Sequence, residues 1–319
     1  MNLLIPHDLP QPDAVRPLVA AGPLLRLSGT TMGTDWSVSA HAPPGVGAED
    51  IRSALESGFA RIISEMSTWE PNSLISRFNR LPIGDSVILP EDFRQVLDIT
   101  LQVAAATDGA LNPCLGADVS RLGFGSPAMP LADQATDRDA WRAFALAGPL
   151  LTRHAPFQLD LSAIAKGYAV DGMGDALRAL GITSFLAEIG GEFTAGGAKP
   201  DGLPWWVDLE SPAAAAPWRV ALCNLSLATS GDYRKLRIEN GQRVSHIVRH
   251  PDANRDDGDL ASVSVLHASC AFADAWATGL FASGASQGLD LANRHGIAAL
   301  FQFRDQPAQP SLAITSMLA

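Results

Sequence analysis

The stretch that most constrains the fold of this chain is residues 159–171, LDLSAIAKGYAVD. It leads from a strand-like segment, residues 157–161, through a turn of small residues directly into a helix. Two acids and a lysine lie within it, and strand-to-helix turns present backbone groups and charged side chains to phosphates. We therefore interpret it as a candidate site. The alternatives are that its first acid only caps a helix and that its lysine is solvated.

Apolar spacing, capping residues and turn signals predict the other elements. Helices are predicted at residues 49–66, 90–107, 165–180 and 269–282, with a short helical turn that ends at Asn79. Strands are predicted at 205–209, 218–222, 225–229, 261–266 and, as the last, 297–303. Strand pairs are predicted around GTTMGT (29–34), around the Gly-Gly break within 182–197, and around a turn at 240–241. Because strands and helices mix without strict alternation, the predicted class is α+β.

The composition limits the kind of protein. A formal net charge of −11 argues against a nucleic-acid-binding surface, which needs clustered Lys and Arg. The cysteines, Cys114, Cys223 and Cys270, lack a CxxC spacing and are expected to be reduced core residues. The sequence has neither a secretory signal pattern nor an apolar run of about 18 residues, so we expect a cytoplasmic protein without an evident membrane anchor. The proline-rich residues 1–23 are expected to form an extended arm before a single unit, 24–319.

Three side chains elsewhere in the chain are candidates for chemistry. Asp274 and Thr278 are four residues apart, so on a helix they share a face, and a carboxylate with a hydroxyl is a plausible half-site for magnesium. The simpler alternative is a solvated face, which the apolar neighbours make less favourable. His246 lies in a strand-like SHIV and is either a general base or a hydrogen-bonded structural histidine.

The lysine stretch and two bulky side chains complete the set of candidates. Lys166 could pair with a phosphate, and Asp160 could accept a hydrogen bond from a ligand. Met32 and Trp69 lie beside small or turn residues. They could belong to the core, or they could flank a planar ring.

Eight segments, taken in order, resemble the successive blocks of the ApbE family, the FAD:protein FMN transferases. They are GTTMGT (29–34), MSTWEPNSLISRFN (66–79), DGALNPCLG (108–116), LDLSAIAKGYAVD (159–171), AEIGGE (187–192), ATSGDYRK (228–235), SHIV (245–248) and ADAWATGLFASG (273–284). Agreement in a single block would mean little, but the colinear set covers nearly all of residues 24–303.

The resemblance implies an α+β, T-fold-like single catalytic unit of mixed sheets packed with helices. It implies magnesium-dependent cleavage of FAD at its pyrophosphate, transfer of FMN to a Thr or Ser hydroxyl of an acceptor protein, and release of AMP. His246 would be the base, and Asp274, Thr278 and the carbonyl of Ala163 would hold Mg²⁺. The residues implied to contact FAD are Met32, Trp69, Ala110, Leu111, Asn112, Asp160, Lys166, Ile247 and Val248. Asp171 would have a structural position on the helix.

The chain departs from the family pattern at Asn112, where Asp is usual, and at Arg249, where SHIV is commonly followed by Asp. Two alternatives to transfer therefore stay open. One is an FAD pyrophosphatase that releases free FMN and AMP, and the other is a non-catalytic FAD-binding protein. A purely structural protein would leave the ordered segments unexplained.

Overall fold

A computed structural model describes residues 2–6, 22–126, 137, 139–210, 217–232, 236–239, 242–248 and 260–317. The helices within these ranges are α1 Ala48–Met66, α2 Leu74–Phe78, α3 Glu91–Ala106, α4 Gly116–Arg121, α5 Ala165–Ala179, α6 Cys270–Ser283, α7 Ala285–His295 and α8 Leu312–Thr315. The strands are β1 Asn2–Leu4, β2 Leu24–Thr31, β3 Thr34–His41, β4 Ser86–Ile88, β5 Ala145–Ala147, β6 Leu150–Thr152, β7 Phe185–Ile189, β8 Glu192–Gly196, β9 Trp205–Leu209, β10 Trp218–Leu222, β11 Leu225–Gly231, β12 Leu236–Glu239, β13 Gln242–Ser245, β14 Leu260–His267, β15 Ala298–Phe303 and β16 Gln309–Pro310. The predicted α+β class is confirmed.

Most of the predicted elements are present within one or two residues of their predicted ends. The helices predicted at 49–66, 90–107, 165–180 and 269–282 are α1, α3, α5 and α6, and the GTTMGT pair is β2 and β3. Met32 and Gly33 join those two strands with φ values of 50° and 74°, as a two-residue hairpin turn requires. The turn predicted at 240–241 lies outside the described residues, although the strands on either side, β12 and β13, pair as expected.

An eight-stranded sheet is the centre of the structure, in the order β16-β15-β14-β11-β8-β7-β3-β2. All of its recorded pairings are antiparallel. Two three-stranded sheets, β1-β10-β9 and β4-β6-β5, and the hairpin β12-β13 accompany it. The sheet order brings β8, β11 and β14 side by side although they are far apart in the sequence, and the site described below is built beside them.

Successive residues of the central strands enter two different cores, because side chains alternate between the faces of a sheet. In β11, Ala228 belongs to a large core shared with α1, α3, α5 and α6, whereas its neighbour Leu227 belongs to a second core. That second core contains Trp205, Val220 and Ile314 and lies between the central sheet, the β1-β10-β9 sheet and α8. Both faces of the central strands are therefore buried.

The first residues of the chain contribute to this second layer. β1 pairs in parallel with β10, with Asn2 opposite Trp218 and Leu4 opposite Val220, and Leu4 is 1% exposed. Residues 2–4 of the predicted arm are thus extended, but they are docked on the small sheet. Residues 7–21 lie outside the described residues, so the division into an arm, 1–23, and a unit, 24–319, stays a prediction.

The fold differs from the sequence prediction in two ways, one wrongly predicted strand and a set of elements that were not predicted. Residues 157–161 are not a strand: a single parallel bridge joins Gln158 to Leu115. Their backbone is instead paired with loop groups, because Asp160 N–H donates to the Pro113 carbonyl at 2.8 Å and Gly116 N–H to the Gln158 carbonyl at 3.1 Å. The elements that were not predicted are β1, β4, β5, β6 and α4 and, at the end of the chain, α7, β16 and α8. The strand predicted as the last, β15, is therefore followed by β16.

The side chain of Asn79 replaces the missing sheet neighbour of this segment. Its amide Nδ2 donates to the Leu159 carbonyl at 2.8 Å, and Leu159 N–H donates to its Oδ1 at 2.7 Å. Asn79 is 3% exposed and Leu159 is fully buried. The loop after α2 thus holds the start of the lysine stretch in place.

Replacing Asn79 by Ala should destabilise the protein, because it leaves two buried backbone groups of Leu159 without partners. At about 1–3 kcal/mol for each of the two unpaired groups, we expect the free energy of unfolding to fall by about 2–6 kcal/mol. Urea unfolding followed by circular dichroism measures it. The control is Asn293→Ala, which removes one exposed bond to Leu312 N–H and should cost about 1 kcal/mol or less. Equal losses in both variants would contradict this account.

Candidate active site

The site lies where α5 and α6 cross, and a glycine allows the helices to approach each other. A Cβ placed on Gly167 would lie 2.5 Å from the Cys270 carbonyl oxygen and 2.7 Å from the Asp274 Cβ. Both distances are shorter than real Cβ contacts, so any larger residue would push the helices apart. The glycine after Lys166 is therefore needed for this packing.

Each of the two helices satisfies backbone donors at the start of the other. Asp171 on α5 accepts hydrogen bonds from the Ser269 hydroxyl at 2.6 Å, Cys270 N–H at 2.7 Å and Ala271 N–H at 3.0 Å. Asp274 on α6 accepts one from Gly167 N–H in the first turn of α5 at 3.0 Å. Helix N-termini leave such donors unpaired and favour negative charge. The structural position predicted for Asp171 is confirmed as that of a helix cap.

Asp274 is a buried carboxylate, with 3% of its surface exposed. Burial raises its pKa above the ordinary value, and the Lys166 ammonium and the Gly167 bond oppose that rise. The predicted alternative of a solvated face is wrong, because eleven other residues of α6 are buried as well. An acid in this position needs a cationic partner.

Lys166 supplies positive charge beside Asp274 and pairs with an acid that the sequence analysis did not single out. Its Nζ lies 2.5 Å from Glu192 Oε1, at the start of β8. Burial favours a lower pKa for the Lys166 ammonium, but Glu192 and Asp274 together raise it above the ordinary value. Lys166 is therefore protonated, and its side chain remains 32% exposed. Glu192 thus holds the ammonium, while about a third of the side-chain surface as a whole stays exposed.

Glu192 completes a charged cluster, which comprises Lys166, Glu192 and Asp274. Its side chain is 2% exposed, and Oε2 has no hydrogen-bond partner among the described residues. Burial raises the pKa of Glu192 to about 7, with Asp274 adding to the rise and Lys166 opposing it. Two acids and one base leave the cluster one negative charge in excess when all three are ionised.

This raised pKa predicts a pH dependence of stability. Between about pH 4.5 and 7 the folded state retains a proton on Glu192 that the unfolded state has lost, so the free energy of unfolding falls as the pH rises through this window. Glu192→Gln lacks the titration. The stability of the wild type relative to this variant should therefore decrease from pH 5 to pH 8 in urea unfolding. A difference that stays constant with pH would contradict the prediction.

Hydroxyl groups extend the site along α6 toward β11. Thr278 lies one turn after Asp274, and its Oγ1 is 2.8 Å from Ser230 Oγ on β11. Thr229 makes a similar contact with Ser264 on β14, at 2.9 Å. The expectation that Asp274 and Thr278 lie on one helix is met, with Ser230 holding the threonine hydroxyl.

The loops before α4 and α5 contain most of the residues predicted to contact a nucleotide. Asp160 Oδ1 accepts from Ser162 N–H at 2.8 Å, and Asn112 Oδ1 accepts from Cys114 N–H at 2.9 Å, so each side chain stabilises its own turn. The two turns are neighbours, since Asp160 N–H donates to the Pro113 carbonyl. Ala163 is half-buried in the turn that opens α5.

The other predicted contact residues differ in exposure. Ala110 and Leu111 are buried at 6% and 3%, and Leu111 N–H donates to Thr107 Oγ1 at 3.2 Å. Trp69 is 62% exposed in the loop between α1 and α2. The alternative that it belongs to the core is therefore wrong, and its exposure suits a side chain that stacks on a planar ring. Met32 is partly buried and packs on the large core from its hairpin turn.

His246 directly follows β13, together with Ile247 and Val248. All three are half-buried. The imidazole contacts Phe124 edge-on, with ring centroids 6.0 Å apart, and Ile247 packs against the large core. The role of His246 as a base stays a prediction.

Sequence reasoning missed Glu192, Ser230 and Asn79. Each lies inside a segment that was recognised, AEIGGE, ATSGDYRK and MSTWEPNSLISRFN. For Glu192 and Asn79 the available signal was an acid or amide at the edge of an otherwise small or apolar run; Ser230 had no such signal. Which of these side chains meet depends on strand order, and the sequence does not contain that information directly.

No group of three or more His, Cys, Asp or Glu side chains among the described residues is arranged to hold a metal ion. The predicted magnesium ligands, one carboxylate with hydroxyl and carbonyl oxygens, are not such a group. Within the same ranges, no helix combines the length and apolar character needed to cross a bilayer. The cysteines Cys114, Cys223 and Cys270 are free thiols. Cys114 and Cys270 are buried as expected, whereas Cys223 is only partly buried and is not a core residue.

The sequence model of the ApbE family matches residues 32–301. The chain belongs to the ApbE family. The FAD:protein FMN transferase of Vibrio cholerae is 31% identical over 288 residues, which cover 86% of either chain. That of Haemophilus influenzae is 31% identical over 294 residues, covering 86% of this chain and 85% of the relative.

Solved structures agree with the family assignment. The apo form of the Pseudomonas stutzeri flavinyl transferase ApbE superposes with a TM-score of 0.83 at 31% identity, covering 92% of this chain and 96% of that one. This ApbE-family chain is accordingly an enzyme of the transferase class. The resemblance read from the eight segments is confirmed.

Proposed function

We propose that this chain is an FAD:protein FMN transferase. It would cleave FAD at the pyrophosphate, attach FMN through a phosphoester to a Thr or Ser of an acceptor protein, and release AMP. The observation that carries the proposal is the charged cluster of Lys166, Glu192 and Asp274 at the crossing of α5 and α6. Phosphoryl transfer requires charge stabilisation and positioning more than covalent chemistry, and this cluster supplies both.

Lys166 is the cation available to the pyrophosphate. Glu192 fixes its ammonium, and the Lys166 side chain keeps 32% of its surface exposed at the site. A lysine held in one position costs less conformational entropy on binding than a free one. In a chain with a net charge of −11, Lys166 together with a bound Mg²⁺ would reduce repulsion of the FAD phosphates.

The oxygens around Asp274 fit a magnesium ion. Asp274 and Thr278 share a face of α6, and Gly167, four residues after Ala163, donates its N–H to Asp274, so the Ala163 turn and α6 meet there. A buried cluster with an excess negative charge and an unpaired oxygen on Glu192 favours a cation. Asp274, Thr278 and the Ala163 carbonyl would hold Mg²⁺, which would neutralise developing charge on the phosphate oxygens.

We infer that His246 accepts the proton of the acceptor hydroxyl. Its half-buried position against Phe124 favours a fixed ring orientation, and histidine is suited to this proton transfer near neutral pH. In the same proposal Met32 and Trp69 flank the flavin, while Ala110, Leu111, Asn112, Asp160, Ile247 and Val248 line the nucleotide. The buried, free thiols are consistent with the cytoplasmic location expected from the sequence.

The test is incubation of the pure protein with FAD, Mg²⁺ and a protein or peptide that carries an acceptor threonine. A flavin-fluorescent acceptor band after denaturing electrophoresis supports transfer. Free FMN and AMP without a labelled acceptor would favour the pyrophosphatase alternative. That alternative stays open because Arg249 follows the histidine segment at a position where the family commonly has Asp. FAD that survives unchanged would favour a non-catalytic flavin-binding protein. His246→Ala should slow acceptor labelling by on the order of 10²-fold but retain FAD binding.

A further inference from the structure

At one end of the central strands lies an ion pair between a buried acid and a largely buried arginine, which the proposed reaction does not use. β11 ends there at Gly231, β14 begins there at Leu260, and β15 ends there at Phe303. Arg304 follows β15 directly. Its guanidinium pairs with the Asp232 carboxylate through Nη2 and donates from Nη1 to the Leu260 carbonyl at 3.2 Å.

These two contacts lie at the two ends of the segment that connects β11 to β14, residues 232–260, which we call the excursion. Asp232 is the first residue after β11 and Leu260 is the first residue of β14, and the chain between them includes β12, β13 and His246. Asp232 N–H also donates to the Ala261 carbonyl at 3.1 Å. Arg304 therefore joins the outgoing and returning ends of the excursion through a single side chain.

The pair is well suited to hold a fixed geometry. The side chains of Arg304 and Asp232 are 14% and 7% exposed, so water screens their attraction weakly. A guanidinium is a planar fork that can serve two acceptors at once, which the single ammonium of lysine does less well. At its far end the excursion is held by the contact of His246 with Phe124 and by Ile247 in the large core.

We propose that Arg304 is a positioning residue for His246, which sets the placement of the base by fixing both ends of the segment that carries it. The inference rests on the proposed function, because His246 must act in the reaction for its placement to matter. Arg304 itself touches neither FAD nor the acceptor in this proposal. Its effect should therefore appear in the transfer step and not in FAD binding.

The experiment compares Arg304→Met and Arg304→Lys with the wild type. The double variant Arg304→Met/Asp232→Asn leaves no unpaired charge buried, so it replaces Arg304→Met if that variant fails to fold. We expect FAD affinity within about twofold of wild type and a single-turnover transfer rate lower by about 10- to 100-fold, with only partial recovery in Arg304→Lys. The control is Arg219→Met, which breaks an exposed bidentate pair with Asp208 on the small sheet and should transfer at the wild-type rate.

A second comparison separates positioning from a general structural effect. If Arg304 acts through His246, Arg304→Met should slow transfer in the wild-type background but have no further effect when His246→Ala is already present. Equal slowing in both backgrounds, or an unchanged rate in Arg304→Met, would overturn the proposal.

Hydrogen exchange tests the anchoring independently of any activity. The amides of β12 and β13 should exchange faster in the Arg304 variants than in the wild type, while those of the β2-β3 hairpin are unchanged. If the wild type transfers no FMN, the proposed function fails and so does the link from Arg304 to catalysis. Unchanged exchange in β12 and β13 would overturn the anchoring itself.

Discussion

Replacing Asp274 by Ala is expected to lower the rate of FMN transfer by on the order of 10³-fold, the largest effect of any single change considered for this chain. The carboxylate is buried, receives the Gly167 N–H and lies beside the Lys166 ammonium. Its removal takes away the only acid among the proposed magnesium ligands. Without Asp274, Glu192 is the only acid of the cluster that attracts the Lys166 ammonium. The ammonium should therefore move inward, away from the pyrophosphate.

The measurement is the initial rate of acceptor labelling at saturating FAD over a series of Mg²⁺ concentrations. Asp274→Asn keeps an oxygen that can accept the Gly167 bond, so it should fold like the wild type and still be nearly inactive. The matched control is Asp175→Ala, an acid on the exposed face of α5 that pairs with Arg178. Asp274→Ala with a rate within about twofold of that control would refute the metal assignment.

Replacing Lys166 by Met should affect stability as well as activity. It leaves Glu192, which is 2% exposed, without its cation. Removing one partner of a fully buried pair costs about 3–5 kcal/mol; since Lys166 is partly exposed, we expect about 2–4 kcal/mol at pH 8. The loss should be smaller at pH 5, because the unpaired Glu192 can then take up a proton.

The double variant Lys166→Met/Glu192→Gln separates the two effects. It removes both charges, so it should recover most of the stability but none of the FMN transfer, because the cation for the pyrophosphate is still missing. Urea unfolding and the labelling assay measure these separately. Lys199→Met is the control, since Lys199 lies 3.8 Å from Asp201 in a loosely held pair. Recovery of transfer in the double variant would show that Lys166 serves only to neutralise Glu192.

The sequence predicted the elements well where a local signal decides the structure. The apolar spacing in α1 buries Ile51, Leu55, Phe59 and Ile62, and Ser269 caps α6 with a hydrogen bond to Phe272 N–H, as a serine before an apolar helix suggests. The strand prediction for residues 157–161 was wrong. Their pattern is that of a buried strand, but their hydrogen-bond partners are the Asn79 side chain and two loops. Periodicity reports burial and cannot identify the partner.

The candidate site was predictable only in part, for a related reason. Asp274 and Thr278 share one helix, and Lys166 stands in a strongly patterned stretch, so each could be recognised locally. Glu192 joins them only because the sheet order places β8 next to β11, over which α6 packs, and because Gly167 lets α5 approach α6. The ion pair of Asp232 with Arg304 likewise depends on the sheet order, which brings the end of β11 and the end of β15 to the same side of the sheet as the start of β14.

The most direct measurement is mass spectrometry of all products after the protein is mixed with FAD, Mg²⁺ and a peptide that contains one acceptor threonine. We predict AMP in an amount equal to that of peptide carrying FMN as a phosphoester on the threonine, and no such product with Asp274→Ala. AMP accompanied by an equal amount of free FMN, with the peptide unmodified, would contradict transfer. FAD recovered intact would contradict catalysis altogether.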